Sequence, residues 1–300
     1  MSNLRYNAGE IITAMVTPFN EDLSIDYPAL EKLINHLIDN GTDAILVAGT
    51  TGETPTLSHE EEHAMFYFVK KVVNGRVKVI MGAGSNSTET AVASSKKAKD
   101  LGADAILSVV PYYNKPSQKG MYMHFSAIAK AVDLPIILYN IPGRTGVNML
   151  PSTIAKLAKE HKNIVAVKQS NADLDLISDI KALCPEDFAI YSGDDSLTIP
   201  MMSLGAHGVI SVASHLVGTE MKKMISDFKS GKNDEALKVH LKLYPLFKKL
   251  FMAPNPVPVK AALSNIGIIK EYVRQPLVAL DDEEKQQLMS VLNNYTFVVK

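Results

Sequence analysis

The sequence predicts an α/β fold, a (β/α)8 TIM-type barrel over residues 1–230, with a C-terminal helical extension over residues 231–300. Three observations carry this prediction. Short apolar runs rich in β-branched residues, the pattern of strands covered on both faces, alternate with helical patterns at a spacing of roughly 25 to 30 residues. Gly41-Thr-Asp-Ala-Ile-Leu recurs as Gly102-Ala-Asp-Ala-Ile-Leu and, more weakly, as Gly205-Ala-His-Gly-Val-Ile, each a glycine helix stop feeding a strand. After Gly231 the strand patterns cease. Eight βα units within about 230 residues favour closure into a barrel over an open doubly wound sheet.

The strands are expected at residues 11–16, 44–48, 77–81, 105–110, 135–139, 164–167, 189–191 and 209–212. Asp26 is suited to cap the first helix with Pro28 in its first turn. Leu30, Leu33, Ile34, Leu37 and Ile38 then fall at helical spacing, and Gly41 stops the run. Further on, Ser58 with Glu61 reads as a capping box, and Glu60, Glu61 and Glu62 complement the helix dipole. In the extension, residues 234–251 are helical, Pro254, Pro256 and Pro258 break the pattern, and helical stretches return near 259–265 and 282–293.

A chain of 300 residues, 46% hydrophobic and 21% charged, can bury a large core. Its 31 basic residues are balanced by 32 acidic ones, and no dense basic run offers a phosphate-backbone footprint, so nucleic acid is not an expected partner. Cys184 is the only cysteine, which excludes an internal disulfide and suits a reducing cytosol. No apolar run reaches the ~18 residues of a membrane helix, and the amino terminus lacks a signal-like apolar segment. A cytoplasmic protein is expected, without membrane contact.

In such a barrel the residues just after each strand gather into the active site. Lys168 follows the apolar run 164–167. Lysine is rarely buried, and desolvation favours the free amine over the ammonium. That is how a lysine becomes a Schiff-base nucleophile, although a lysine that snorkels to water or pairs with a carboxylate is the plainer reading. Gly49-Thr50-Thr51-Gly52 can turn backbone N–H groups and two hydroxyls toward a small carboxylate, or serve as a simple turn. Arg144, in a Pro-Gly turn, suits bidentate capture of a second carboxylate. Tyr113 and Tyr139 can relay protons or pack as half-buried aromatics.

The runs Gly-Thr-Thr-Gly-Glu at 49–53, Tyr-Tyr-Asn-Lys-Pro at 112–116, Tyr-Asn-Ile-Pro-Gly-Arg-Thr-Gly at 139–146, Val-Lys at 167–168, Ser-Gly-Asp-Asp at 192–195, Gly-Val-Ile-Ser-Val at 208–212 and Asn-Pro-Val-Pro-Val-Lys-Ala at 255–261 together resemble the dihydrodipicolinate synthase family, of the N-acetylneuraminate lyase superfamily. The resemblance covers nearly the whole chain. It implies condensation of pyruvate with aspartate semialdehyde to 4-hydroxy-tetrahydrodipicolinate, the first committed step of the diaminopimelate route to lysine, with no cofactor and no metal. By position, Lys168 would form the Schiff base, Tyr139 would act as general acid/base, and Thr50 with Tyr113 would complete the proton relay. Thr51 would hold the pyruvate carboxylate, Arg144 would bind aspartate semialdehyde, and the backbones of Gly193 and Ile210 would line the pocket. In this family the tyrosine matching Tyr113 reaches into a neighbouring subunit's site, which implies a homodimer or homotetramer. The chain departs from the family beside the nucleophile, where Gln169 and Ser170 follow the lysine and members usually carry Lys-Glu or Lys-Asp. The alternative within the superfamily is another pyruvate aldolase such as an N-acetylneuraminate lyase; Arg144 argues against it, because sugar-acid lyases lack that arginine.

Some members of the family are inhibited by lysine at a site between subunits, and His59, Asn86 and Tyr112 match that site. Feedback-inhibited members carry a histidine where this chain has Glu62 and a glutamate where it has Thr90. Weak or absent inhibition by lysine is therefore expected. His59-Glu-Glu-Glu-His63 also fits a zinc pattern, but the capping box explains the segment more simply and no third ligand is evident. Gly82-Ala-Gly-Ser-Asn-Ser lacks the third glycine of a dinucleotide fingerprint, and Asp194 and Asp195 read as acids opening a helix.

Overall fold

The computed structural model describes residues 4–297. Its strands are β1 (Ile11–Ala14), β2 (Ala44–Val47), β3 (Lys78–Gly82), β4 (Ala105–Val109), β5 (Ile136–Asn140), β6 (Ile164–Gln169), β7 (Ala189–Ser192) and β8 (Gly208–Ser211). They follow one another in sequence order as a closed barrel. The helices are α1 (Tyr27–Asp39), α2 (His59–Val73), α3 (Thr88–Asp100), α4 (Gln118–Ala131), α5 (Pro142–Thr145), α6 (Pro151–Glu160), α7 (Leu174–Leu183), α8 (Thr198–Ser203), α9 (Ser214–Lys229), α10 (Asn233–Lys249), α11 (Val257–Asn265) and α12 (Asp282–Leu292). No helix among the described residues is long and apolar enough to cross a membrane.

Strand starts agree with the sequence-based ranges to within a residue, whereas the ends differ. The correction that matters is β6, which continues through Lys168 and Gln169 instead of stopping at Val167. The apolar pattern ends there, but the backbone ladder does not. Pro258 is likewise no helix breaker, because it occupies the first turn of α11, where a missing N–H costs nothing.

The contacts divide the chain into two compact units, one of residues 1–9 with 80–210 and one of residues 10–79 with 211–300. In the first, β4, β5, β6 and β7 pair in parallel register, and nearly every strand residue is buried. Arg5 anchors the start of the chain to this unit, donating to the Asp187 carboxylate at 2.8 Å and to the Ala158 carbonyl at 2.6 Å.

In the second unit β1 pairs with β2, and the expected tail, residues 231–300, joins the same unit as residues 10–79. Asp26 caps α1 by accepting from the Ala29 N–H at 3.0 Å, and Gly41 takes a φ of 87° just past the helix end. Ser58 and Glu61 form the capping box of α2. Thr13, Thr42 and Ser214 form a buried chain of hydroxyls at 2.7 and 2.8 Å. His215 is fully buried: its Nδ1 faces the Val212 carbonyl at 2.8 Å, and its Nε2 accepts from the Val16 N–H at 3.2 Å. Burial pushes its pKa down to about 4, so the ring is held neutral.

Candidate active site

In β6, IVAVKQ, every residue is buried, and alternation along the strand turns Lys168 to one face and Gln169 to the other. The register sets Lys168 opposite Tyr139 on β5 and opposite Tyr191 on β7. Residues directly opposed on neighbouring strands project from the same face, so the amine and the phenol are neighbours by construction. Lys168 is 7% exposed, and its Nζ stands 4.4 Å from the centroid of the Tyr139 ring. The ring face attracts the ammonium and holds the side chain in place.

The opposite face carries an amide network. Asn140 Nδ2 donates to Gln169 Oε1 at 3.1 Å and to Asn148 Oδ1 at 2.7 Å, while Asn140 Oδ1 accepts from the Met149 N–H at 3.0 Å. Gln169 Nε2 is buried without a partner among the described residues. The Gln169 side-chain oxygen thus does the accepting that a carboxylate would do, and of the two departing residues it is Gln169 that lies on the face turned away from Lys168. The same bonds tie residues 148–149 to β5 and so close the loop that presents Arg144. That arginine lies in α5, exposed, and its guanidinium has no partner among the described residues. It is available for a carboxylate.

Gly193 packs beside Lys168. Its N–H donates to the Gln169 carbonyl at 2.8 Å, and a Cβ added there would lie 3.0 Å from Lys168 Cε and 1.8 Å from Ser170 Oγ. Only a residue without a side chain lets the backbone approach so closely. Ile210, 1% exposed, lies in β8 beside Val209, which pairs with Ser192. Tyr113 is 89% exposed and takes a φ of 71°, a left-handed conformation uncommon for a bulky residue. Tyr112 is also exposed. Asn114 Nδ2 donates to the Asn86 carbonyl at 2.9 Å, which brings the loops of Asn86 and Tyr112 together.

Thr50, Thr51 and His59 belong to the second unit. Thr50–Gly52 is a single 3-10 turn, ended by Glu53 in the left-handed region. Thr17 Oγ1 donates to the Gly52 carbonyl at 2.7 Å, and Asn255 Nδ2 donates to Thr51 Oγ1 at 2.9 Å. The Glu53 carboxylate accepts from Lys260 Nζ at 2.7 Å and from the Arg274 N–H at 2.9 Å. Lys260 has no exposed surface; it also donates to the Thr17 carbonyl at 2.8 Å and lies 4.3 Å over the Phe19 ring. Burial pushes its ammonium down to about 8, against the opposing pull of Glu53. His59 pairs through Nδ1 with the Glu62 carboxylate at 3.1 Å, and its ring stacks on that of His63 at 6.3 Å. Burial raises the Glu62 pKa.

Asn255, Lys260 and Ser170 are the residues that sequence reasoning left without a role. The run 255–261 belongs to the family pattern, but nothing local reveals that it contacts a turn some two hundred positions earlier.

The profile of the dihydrodipicolinate synthetase family matches residues 7–295. The 4-hydroxy-tetrahydrodipicolinate synthase of Bacillus subtilis is 50% identical over 287 residues, covering 96% of this chain and 99% of its own. The crystal structure of a dihydrodipicolinate synthase from Bacillus anthracis superposes with a TM-score of 0.94 at 49% identity, covering 97% of this chain and 99% of that one. The enzyme from Cyanidioschyzon merolae, solved with lysine bound, superposes with a TM-score of 0.94 at 48% identity, covering 96% and 98%.

Proposed function

The chain belongs to the dihydrodipicolinate synthetase family, and on that premise we propose that it is a lyase-class enzyme condensing pyruvate with aspartate semialdehyde to 4-hydroxy-tetrahydrodipicolinate, and assign its residues as follows. Lys168 Nζ attacks the C2 carbonyl of pyruvate, and the carbonyl oxygen leaves as water to give a protonated Schiff base. Loss of a methyl proton yields the enamine, whose carbon attacks the aldehyde of the second substrate; the amino group of that substrate then adds to the Schiff-base carbon and displaces Lys168 Nζ, which closes the ring and frees the lysine. Tyr139 takes up and returns the protons of these steps, relayed by Thr50 and Tyr113. Thr51 holds the pyruvate carboxylate, the backbones of Gly193 and Ile210 line the site, and Arg144 binds the carboxylate of aspartate semialdehyde.

The observation that carries this reading is the amine of Lys168, buried at the end of β6 and seated 4.4 Å over Tyr139. A phenol beside a buried amine supplies the acid and base that carbinolamine collapse needs. For Tyr113, the exposed side chain on a left-handed backbone supports a reach into a second copy of the chain, hence a homodimer or homotetramer. A single cysteine and the biosynthetic role support a cytoplasmic setting.

Incubation with pyruvate and borohydride followed by peptide mapping tests the assignment. The reduced adduct is expected on Lys168, and Lys168→Ala is expected to abolish it. An adduct on Lys260, or none, overturns it.

A further inference from the structure

Thr51 has one hydroxyl proton and two lone pairs to distribute. It is 4% exposed, so water contributes little to its bonding. Its Oγ1 receives the amide proton of Asn255 Nδ2 at 2.9 Å, and no described residue accepts the hydroxyl proton. The direction of this bond decides what Thr51 can do. With a lone pair taken by the amide, the hydroxyl is left as a donor, the polarity a carboxylate requires.

The surroundings hold that arrangement. Asn255 is 8% exposed and precedes α11, whose Lys260 grips the Glu53 carboxylate at 2.7 Å, two residues after Thr51. Asn255 Oδ1 is buried without a partner among the described residues, while the donor of the same amide serves Thr51.

We propose that Asn255 is a positioning residue for pyruvate recognition: by donating to Thr51 Oγ1 it leaves the Thr51 hydroxyl proton free to bind the substrate carboxylate. This rests on the reading that Thr51 holds that carboxylate. The Lys260–Glu53 ion pair fixes the turn on which the contact is made.

Asn255→Asp is nearly isosteric and reverses the bond, because an ionised carboxylate accepts the hydroxyl proton and adds a charge that repels the substrate. Initial rates are measured against pyruvate and, separately, against aspartate semialdehyde, with melting followed by circular dichroism. Asn255→Asp is expected to raise the KM for pyruvate about tenfold or more, the worth of a charge-assisted hydrogen bond, while the KM for aspartate semialdehyde changes little. Asn255→Ala, which frees the hydroxyl to rotate, is expected to raise it a few-fold and carries the test if the aspartate variant does not fold. Thr51→Val raises the same KM, and adding the neutral Asn255→Ala to it has no further effect, since the two act through one hydroxyl.

A KM for pyruvate unmoved by Thr51→Val overturns the carboxylate reading itself. One moved by Thr51→Val but by neither Asn255 variant overturns the role of Asn255. Equal rises in both KM values, or a full additional effect in the double variant, reduce Asn255 to a structural part and overturn it as well.

Discussion

Replacing Gly193 by alanine places a methyl group where the structure has Ser170 Oγ at 1.8 Å and both Ser170 Cβ and Lys168 Cε at 3.0 Å. The backbone there is not left-handed, so alanine adds no conformational strain and the whole effect comes from the contacts. Ser170 Oγ can swing to another rotamer, but carbon atoms settle at about 3.5 to 4.0 Å, so Lys168 Cε must retreat by roughly 0.5 to 1 Å. A displacement near 1 Å of a reacting group costs up to about a hundredfold in rate, or about 2.7 kcal/mol of barrier. We expect Gly193→Ala to slow adduct formation at saturating pyruvate by ten- to a hundredfold, with little change in melting temperature. Quenching with borohydride at timed intervals and quantifying the modified peptide by mass spectrometry reads the rate directly. Removing the hydroxyl with Ser170→Ala relieves the shortest contact and leaves those with Lys168 Cε and Ser170 Cβ, so the double variant stays slow. A Gly193→Ala protein that forms the adduct at the parent rate refutes the argument that this close approach positions the amine.

The other expectations are briefer. Arg144→Ala retains pyruvate adduct formation and loses condensation by about ten- to a hundredfold, the worth of roughly 1.5 to 3 kcal/mol for a charged contact, as steady-state rates against trapped adduct will show. If both fall together, the arginine serves pyruvate instead. Below pH 6.5 the unfolded chain protonates His215 while the fold, with a pKa of about 4, does not. The unfolded state then binds more protons, so stability falls as pH drops from 6.5 toward 4, by up to about 3 kcal/mol, and is flat from this cause above 6.5. Urea titrations across this range should show a shallower acid loss in His215→Gln; an unchanged slope rules His215 out as its source. Lysine added to initial-rate assays should give half-inhibition no tighter than about 1 mM, because Thr90 supplies no charge for a bound ammonium and Glu62 is already engaged by His59. Inhibition well below that concentration contradicts this.

What the sequence made legible follows from the range of each interaction. The first helix was readable because Asp26, Pro28 and Gly41 act on their own neighbours. The sequence predicts the sixth strand short because its hydrophobic signal stops at Val167, whereas Lys168 and Gln169 are kept in the ladder by pairing with Tyr139, Asn140, Tyr191 and Ser192 on other strands. Polar residues at strand ends carry the chemistry, so pattern reading falters where the site begins. Lys168, Tyr139 and Arg144 stood out by residue type and by family likeness. Asn255 and Lys260 did not, because their partners Thr51 and Glu53 lie 204 and 207 positions away. The close approach of Gly193 to Lys168 and Ser170 is likewise a property of three-dimensional packing.

The same separation has a consequence for a chain that is made from one end. Glu53 leaves the ribosome long before Lys260 and Arg274, and at 5 to 20 residues per second the interval is roughly 10 to 40 s. Throughout that time the threonine turn has neither its ion pair nor its amide donor. A nascent chain can form its early strands, but the turn expected to grip a substrate acid is completed only when the last helices arrive. Premature termination anywhere before residue 255 therefore removes both clasps at once, and a carboxylate meant for a dry interior is left facing water.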